Sequence, residues 1–180
     1  MRELILGGAR SGKSRFAEQL ASKSDKKVFY IATAEVEHSA QDPEMAERIR
    51  RHQQQRPSHW QTIEEPLKLA DRLKELATEE HTILVDCLTL WLSNLLTEGD
   101  GDEVVTQRLT DETAKLIELL PQLPGEIILV SNEVGLGIVP MGELSRTFCD
   151  ESGRLNQQIA SVCDRVTFMA AGLPMILKGK

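Results

Sequence analysis

Short apolar runs alternate with amphipathic stretches along most of the chain. Near-continuous apolar runs predict buried strands over residues 4–6, 28–32, 82–86, 126–130 and 165–170. Weaker patterns predict two further short strands over residues 60–63 and 175–177. Strands without a polar face are typical of a parallel sheet that is covered by helices on both sides.

Apolar positions three and four residues apart predict the helices between these strands. They cover about residues 13–24, 43–54, 67–77, 88–96, 103–120 and 143–163. Asp42 and Pro43 mark the start of the second helix, since Asp caps an N-terminus and Pro fits the first turn. Gly153 predicts a kink in the last helix or a close approach by another backbone. The pattern as a whole predicts one α/β domain over residues 1–180, with a mostly parallel sheet and helices on both faces.

The amino-acid composition excludes several classes of protein. The 180 residues are 41% hydrophobic, which is enough for a sizeable core. With 28 acidic and 21 basic residues the net charge is −7, which argues against generic nucleic-acid binding. The three cysteines form no CxxC pair, and His and Cys show no metal-ligand spacing. We expect a cytoplasmic protein with reduced thiols, no signal peptide, no membrane span and no structural zinc.

The strongest chemical signal lies between the first predicted strand and the first predicted helix. The residues there spell G-x-x-x-x-G-K-S: Gly7, Gly8, Ala9, Arg10, Ser11, Gly12, Lys13 and Ser14. Between a strand and a helix, such a loop turns its backbone N–H groups toward the phosphates of a nucleotide. We expect Lys13 to reach the β- and γ-phosphates and Ser14 to hold Mg²⁺ through its hydroxyl. This motif predicts a P-loop NTPase.

Ligands of parallel α/β sheets bind beyond the carboxyl ends of the strands, so other strand ends are candidates as well. Asp86 ends an apolar strand, where it could complete the Mg²⁺ shell, cap the next helix, or do both. Residues 33–35 follow the second strand. The glycine-bearing run over residues 132–137 fits an ordinary strand-to-helix connection and a substrate contact about equally well.

His52 lies on the same predicted helix face as Met45 and Ile49. This spacing alone favours a histidine at the edge of the core over a nucleophile or general base. A nucleophilic histidine could attack a phosphorus centre and form a covalent intermediate. Three arginines nearby could neutralise a polyphosphate or form a solvated basic face: Arg48, Arg51 and Arg56.

Several longer stretches resemble one enzyme family. They are residues 7–14, 30–33, 45–49 with His52, 56–60, 130–140 and 153–157. Together they resemble the bifunctional adenosylcobinamide kinase / adenosylcobinamide-phosphate guanylyltransferase of cobalamin biosynthesis, over essentially the whole chain. The resemblance implies a RecA-like P-loop fold, GTP and ATP as substrates, Mg²⁺ and a homotrimer.

The resemblance implies two reactions. In the first, ATP or GTP phosphorylates the aminopropanol hydroxyl of adenosylcobinamide. In the second, GTP donates GMP to that phosphate, which gives adenosylcobinamide-GDP and pyrophosphate. In the family the second reaction passes through a guanylylated histidine, and the matching position here is His52. Lys13 and the loop N–H groups would stabilise the departing pyrophosphate.

The family's nucleotide contacts map onto the phosphate loop and onto further positions: Thr33, Ala34, Glu35, Gln53, Gln54, Gln55, Arg56, Glu64 and Asp86. Asp86 is shorter than the Glu of other members, so its contact could become water-mediated. Two alternatives stay open at this point. One is a P-loop small-molecule kinase with direct phosphoryl transfer and a structural His52, and the other is a non-enzymatic GTP-binding switch.

Overall fold

The computed structural model describes residues 1–34, 57–98 and 101–179. Within these residues seven strands form one sheet: β1 (Arg2–Gly7), β2 (Lys27–Ala32), β3 (Gln61–Glu64), β4 (His81–Asp86), β5 (Glu126–Asn132), β6 (Arg165–Ala170) and β7 (Leu173–Lys178). The described helices are α1 (Lys13–Ala21), α2 (Leu69–Leu76), α3 (Leu88–Thr97), α4 (Asp102–Leu119) and α5 (Glu143–Val162). A short 3₁₀ turn, Leu120–Gln122, follows α4.

The strand order in the sheet is β3-β2-β4-β5-β1-β6-β7. Strands β1 to β6 are parallel, and β7 pairs antiparallel with β6 at one edge. The carboxyl ends of β1, β2, β4 and β5 therefore share one edge of the sheet, and β5 lies between β1 and β4. This confirms the predicted mostly parallel α/β fold.

Helices cover both faces of the sheet. On one face α2, α3, α4 and α5 bury an aliphatic core around Trp91, whose Nε1 donates a 2.8 Å hydrogen bond to the Leu67 carbonyl. On the other face α1 packs through the small residues Ala17 and Ala21, together with Trp60. Small side chains let α1 lie close to the strands, and this places its N-terminus directly above the end of β1.

Three details differ from the sequence-based expectations. Helix α1 ends at Ala21 rather than near residue 24, because Lys23 and Ser24 donate to carbonyls three residues back in tighter turns. Helix α2 begins at Leu69, since the Glu65 carboxylate accepts the N–H groups of residues 67 and 68. Of the two alternatives predicted for Gly153, a kink or a close approach by another backbone, the described residues show no close approach. A Cβ there would meet none of their atoms within 4 Å, and α5 continues through the position. The predicted helix over residues 43–54 lies outside the described residues.

Candidate active site

The phosphate loop joins β1 to α1 in a conformation that requires glycine. Gly12 has φ 95°, a left-handed value that strains other L residues, and a Cβ there would lie 3.2 Å from Gly172 Cα. A Cβ on Gly7 would lie 2.5 Å from Ser11 Oγ and 2.7 Å from the Met169 carbonyl oxygen. The Gly172 N–H donates to the Ser11 carbonyl at 2.9 Å, so the β6–β7 hairpin holds the loop from outside.

Lys13 lies across this loop. Its side chain is only 8% exposed, and its Nζ donates a 3.2 Å hydrogen bond to the Gly8 carbonyl oxygen. Ser11 Oγ is buried and has no hydrogen-bond partner among the described residues. An ammonium group held over a loop between a strand and a helix N-terminus suits an anion, because phosphate oxygens would accept hydrogen bonds from the ammonium and from the loop N–H groups. The strand–loop–helix placement agrees with the predicted cradle, and nucleotide contacts stay a prediction for its residues: Gly7, Gly8, Ala9, Arg10, Ser11, Gly12, Lys13 and Ser14.

Asp86 ends β4, one strand away from the phosphate loop. Because side chains alternate along β4 and Leu84 faces α1, Asp86 faces α1 as well. Its Oδ2 accepts a 2.9 Å hydrogen bond from the Tyr30 hydroxyl. Only β5 separates β4 from β1, which puts the Asp86 backbone about 10 Å from that of β1.

These residues fit Mg²⁺ as part of its ligand shell. Magnesium prefers oxygen ligands, usually one or two from protein side chains together with phosphates and waters. Ser14 is half-buried in the first turn of α1, and Asp86 ends β4 on the face of the sheet that α1 covers. Among the described residues no group of three or more His, Cys, Asp or Glu could hold a metal ion unaided. A metal here would depend on the nucleotide to complete its coordination.

Thr33 connects two strand ends. It is fully buried, and its Oγ1 donates to the Cys87 carbonyl at 2.7 Å and accepts from the Cys87 N–H at 2.9 Å. The Thr33 carbonyl accepts a 2.7 Å hydrogen bond from Asn94 Nδ2. The structure therefore uses the Thr33 side chain to join β2 to the segment after Asp86. Its nucleotide contact stays a prediction.

The other predicted contacts are spread along the same edge. Ala34 follows Thr33 and is half-buried. Glu64 is exposed at the end of β3, with β2, β4 and β5 between it and β1, so it lies about 19 Å from the phosphate loop. That distance suits the base or ribose of a nucleotide better than its γ-phosphate. His52 and the remaining predicted contacts lie outside the described residues: Glu35, Gln53, Gln54, Gln55 and Arg56.

The structure adds the end of β5 to the site. Asn132 pairs with Gly7 in the parallel register, and the Glu133 N–H donates to the Gly7 carbonyl at 3.1 Å. These residues begin the glycine-bearing run that the sequence left open between a connection and a contact. The position of the run after a buried strand was the available signal, but only the strand order shows that it lies between the phosphate loop and Asp86.

Burial keeps the thiol beside Asp86 neutral. Burial, and then the nearby Asp86 charge, raise the pKa of Cys87 to about 11. A thiol with this pKa is a poor nucleophile at neutral pH, because the thiolate is the reactive form. Cys87 is therefore part of the packing around the site and is not a candidate for covalent chemistry.

Comparison with known proteins decides the family. A model of the family described as "Cobinamide kinase / cobinamide phosphate guanyltransferase" matches residues 3–177. The chain belongs to this family. It is 58% identical over 180 residues to the bifunctional adenosylcobalamin biosynthesis protein CobP of Pseudomonas aeruginosa, covering 100% of this chain and 99% of that protein. It is 38% identical over 183 residues to the bifunctional adenosylcobalamin biosynthesis proteins CobU of Escherichia coli and Salmonella typhimurium, covering 97% of this chain and 98% of each relative.

A solved structure supports the fold independently. A protein of Pyrococcus horikoshii OT3 superposes with a TM-score of 0.55 at 9% identity, covering 99% of this chain and 86% of that one. At this identity the likeness concerns the fold alone. Membership of the cobinamide kinase / guanyltransferase family confirms the predicted family and its transferase class, and it disfavours the non-enzymatic switch. No helix in residues 1–34, 57–98 or 101–179 is long and apolar enough to cross a membrane.

Proposed function

We propose that this protein phosphorylates adenosylcobinamide with ATP or GTP and then transfers GMP from GTP to the product. Family membership supports both activities, and the named relatives are bifunctional proteins of adenosylcobalamin biosynthesis. The observation that carries the proposal within this structure is the phosphate loop. Lys13 is held at this loop, with its Nζ 3.2 Å from the Gly8 carbonyl oxygen, where it could reach the phosphates of a nucleotide.

In the kinase step the acceptor hydroxyl attacks the γ-phosphorus. A bond forms between the acceptor oxygen and phosphorus, the bond to the β–γ bridging oxygen breaks, a nucleoside diphosphate leaves, and the hydroxyl proton passes to solvent. Lys13 and the loop N–H groups stabilise the charge on the transferring phosphoryl group. Ser14 and Asp86 would hold Mg²⁺, which supplies further positive charge to the phosphates when it is bound.

In the guanylyltransferase step His52 would act as a covalent carrier. A neutral imidazole nitrogen attacks the α-phosphorus of GTP, and pyrophosphate leaves with the electron pair of the broken P–O bond. The phosphate of adenosylcobinamide phosphate then attacks the same phosphorus and releases the histidine. The family resemblance is the support for this role. It is also the support for nucleotide contacts at Thr33, Ala34, Glu35, Glu64 and residues 53–56.

Three further proposals have the same support. We expect residues 1–180 to act as one catalytic domain and the chain to assemble as a homotrimer. We also expect it to act in the cytoplasm. Exposed apolar residues after β5 and along β7 agree with an assembly, because such surfaces are usually covered by a partner.

The test follows both labels of GTP into the corrinoid. The protein is incubated with Mg²⁺, adenosylcobinamide and GTP labelled at the γ- or at the α-phosphate, and the corrinoid products are separated. The proposal expects γ-label in adenosylcobinamide phosphate first, and α-label in a later product as pyrophosphate is released. Transfer of the γ-label without any α-label would favour the kinase alone, and transfer of neither label would contradict the proposal.

A further inference from the structure

The carboxyl end of β5 is held by hydrogen bonds from three sides. The Asn132 N–H donates to Thr89 Oγ1 of α3 at 2.7 Å. The Asn132 carbonyl accepts a 3.2 Å hydrogen bond from Asn156 Nδ2 of α5. The next N–H along the chain, that of Glu133, donates to the Gly7 carbonyl at 3.1 Å. Three consecutive backbone groups therefore connect β5 to two helices and to the phosphate loop.

Thr89 lies close to the end of β4, the strand that ends at Asp86. It is in the first turn of α3, three residues after Asp86, and only 7% of it is exposed. Its Oγ1 also lies 3.4 Å from the hydroxyl of Ser131, which is almost fully buried. Because side chains alternate along β5, Ser131 faces α3 while Val130 faces α1. Thr89 therefore contacts β5 on the face opposite to the one on which Asp86 lies.

The Asp86 side of this connection is equally constrained. Cys87, between Asp86 and α3, exchanges two hydrogen bonds with Thr33 at 2.7 and 2.9 Å. The first turn of α3 thus cannot shift without carrying the end of β4 with it. A continuous path of hydrogen bonds runs from this turn through Thr89, Asn132 and Glu133 to Gly7.

We propose that Thr89 is a positioning residue that sets the spacing between the Asp86 carboxylate and the phosphate loop. Asn156 steadies the same strand end from α5. The proposal depends on the proposed function in one respect: it assumes that Asp86 and Ser14 bind the same Mg²⁺. Those two ligands come from segments on either side of β5, so the position of β5 determines the distance between them.

The physical reason is the strict geometry of magnesium. Mg²⁺ requires oxygen ligands at about 2.0–2.1 Å in a near-octahedral arrangement, so a small change in ligand spacing weakens its binding. Nucleotide binding without metal depends instead on the loop N–H groups and Lys13, which lie on the β1 side alone. A positioning role therefore affects metal-dependent binding, whereas a purely structural hydrogen bond affects only the stability of the fold.

The chain offers a matched pair of variants at this position. Thr89→Val keeps the shape of the side chain and removes the hydroxyl, whereas Thr89→Ser keeps the hydroxyl. Binding of a fluorescent GTP analogue is titrated with Mg²⁺ and repeated in EDTA. We expect Thr89→Val to raise the Mg²⁺ concentration for half-maximal enhancement about tenfold, because misplaced groups in sites of this kind cost up to about 10²-fold. Metal-free binding should stay within twofold of the wild type, and Thr89→Ser should restore the Mg²⁺ response.

Two controls separate positioning from stability. Ile159→Val shortens a buried side chain on α5 without touching the hydrogen bonds, so it should lower the melting temperature and leave the Mg²⁺ response unchanged. If Thr89→Val does not fold, Asn156→Leu carries the same expectation with a smaller shift. That change also removes a buried Oδ1 that has no hydrogen bond among the described residues.

A Thr89→Val protein that melts earlier but keeps the wild-type Mg²⁺ response would overturn the proposal. So would a Thr89→Ser protein that responds as poorly as Thr89→Val. Absence of cobinamide phosphorylation by the wild type would instead contradict the proposed function. The Mg²⁺ titration of nucleotide binding does not use the corrinoid, so it would still test the role of Thr89.

Discussion

Two regions that meet at the end of β5 differ in the kind of side chain that each one buries and exposes. At the carboxyl edge of the sheet, buried hydroxyl groups are paired, as with Thr33 and Thr89 around the strand ends. Just beyond it, the run after β5 exposes large apolar side chains, with Ile138 98% and Met141 97% exposed. Buried polar groups that have hydrogen-bond partners within the chain need no other molecule to satisfy them. Exposed apolar groups indicate a surface that another molecule covers.

The contrast indicates that the two regions have different roles. The edge around the phosphate loop is rigid because its backbone is held by side-chain hydrogen bonds from several elements, which suits preorganised binding of phosphates. The apolar surface, which we define as the large apolar residues of the segment after β5 and of β7, instead has its side chains exposed. In the proposed homotrimer this surface would be the region that other subunits cover.

The largest expected effect is loss of chemistry at the rigid edge. Lys13→Ala should lower both the kinase and the guanylyltransferase rates by about 10²–10³-fold, the usual cost of losing one charge-stabilising group. The rates are measured with labelled GTP, and the melting temperature checks folding. Lys23→Ala, an exposed lysine just after α1, is the matched control and should keep both rates. Full turnover in Lys13→Ala would show that the phosphate loop does not serve as proposed.

An intermediate effect is expected at the apolar surface. Ile138→Asp should weaken self-association about thirtyfold, as expected for a central interface residue, because a carboxylate would be desolvated there. Its monomer should stay as stable as the wild type, since the Ile138 side chain is almost fully exposed. Light scattering after size-exclusion chromatography measures the mass. Glu143→Gln, at the start of α5, is the control. A wild-type protein that is monomeric at all concentrations would contradict the proposed covering of this surface by other copies.

The smallest expected effect is a difference in alkylation rate among the three cysteines, of which two are buried and one is half-buried. Burial raises the pKa of Cys87 to about 11 and that of Cys163 to about 12, so both stay thiols at pH 8. Cys149 is half-buried on α5. Iodoacetamide should alkylate it at least about tenfold faster than the other two, because burial shields Cys87 and Cys163 and keeps them as the unreactive thiol. Mass spectrometry of the native protein distinguishes the three sites. Equal rates would show that the region around Asp86 opens readily in solution.

Much of the fold could be predicted from the sequence, and for identifiable reasons. Strands buried on both faces leave unbroken apolar runs, so β1, β4 and β5 were visible in the pattern of hydrophobic residues. The phosphate loop was visible because its glycines, Lys13 and Ser14 act through local geometry at fixed spacing. The position of Asp86 at a strand end could be predicted because that rule needs only the order of strand and carboxylate, and its contact with Mg²⁺ stays a prediction.

The hydrogen bonds around β5 could not be predicted in the same way. Thr89 and Asn156 act on the backbone of Asn132 from 43 and 24 residues away. Main-chain N–H and carbonyl groups are common to almost all residue types, so the residue type at the partner position gives no signal. No spacing rule therefore identifies such pairs. Thr33 shows the same limit. Its position at a strand end indicated a nucleotide contact, which stays a prediction, but gave no sign of the hydrogen bonds between its hydroxyl and Cys87.

We propose that His52 carries GMP and that the phosphate loop binds the GTP that donates it. The most direct measurement is to incubate the protein with Mg²⁺ and α-labelled GTP, denature it, and quantify the retained label. The account predicts acid-labile label on the wild type and on His59→Asn, and none on His52→Asn or Lys13→Ala. Unlabelled wild-type protein under conditions where GTP demonstrably binds, or full labelling of His52→Asn, would contradict it.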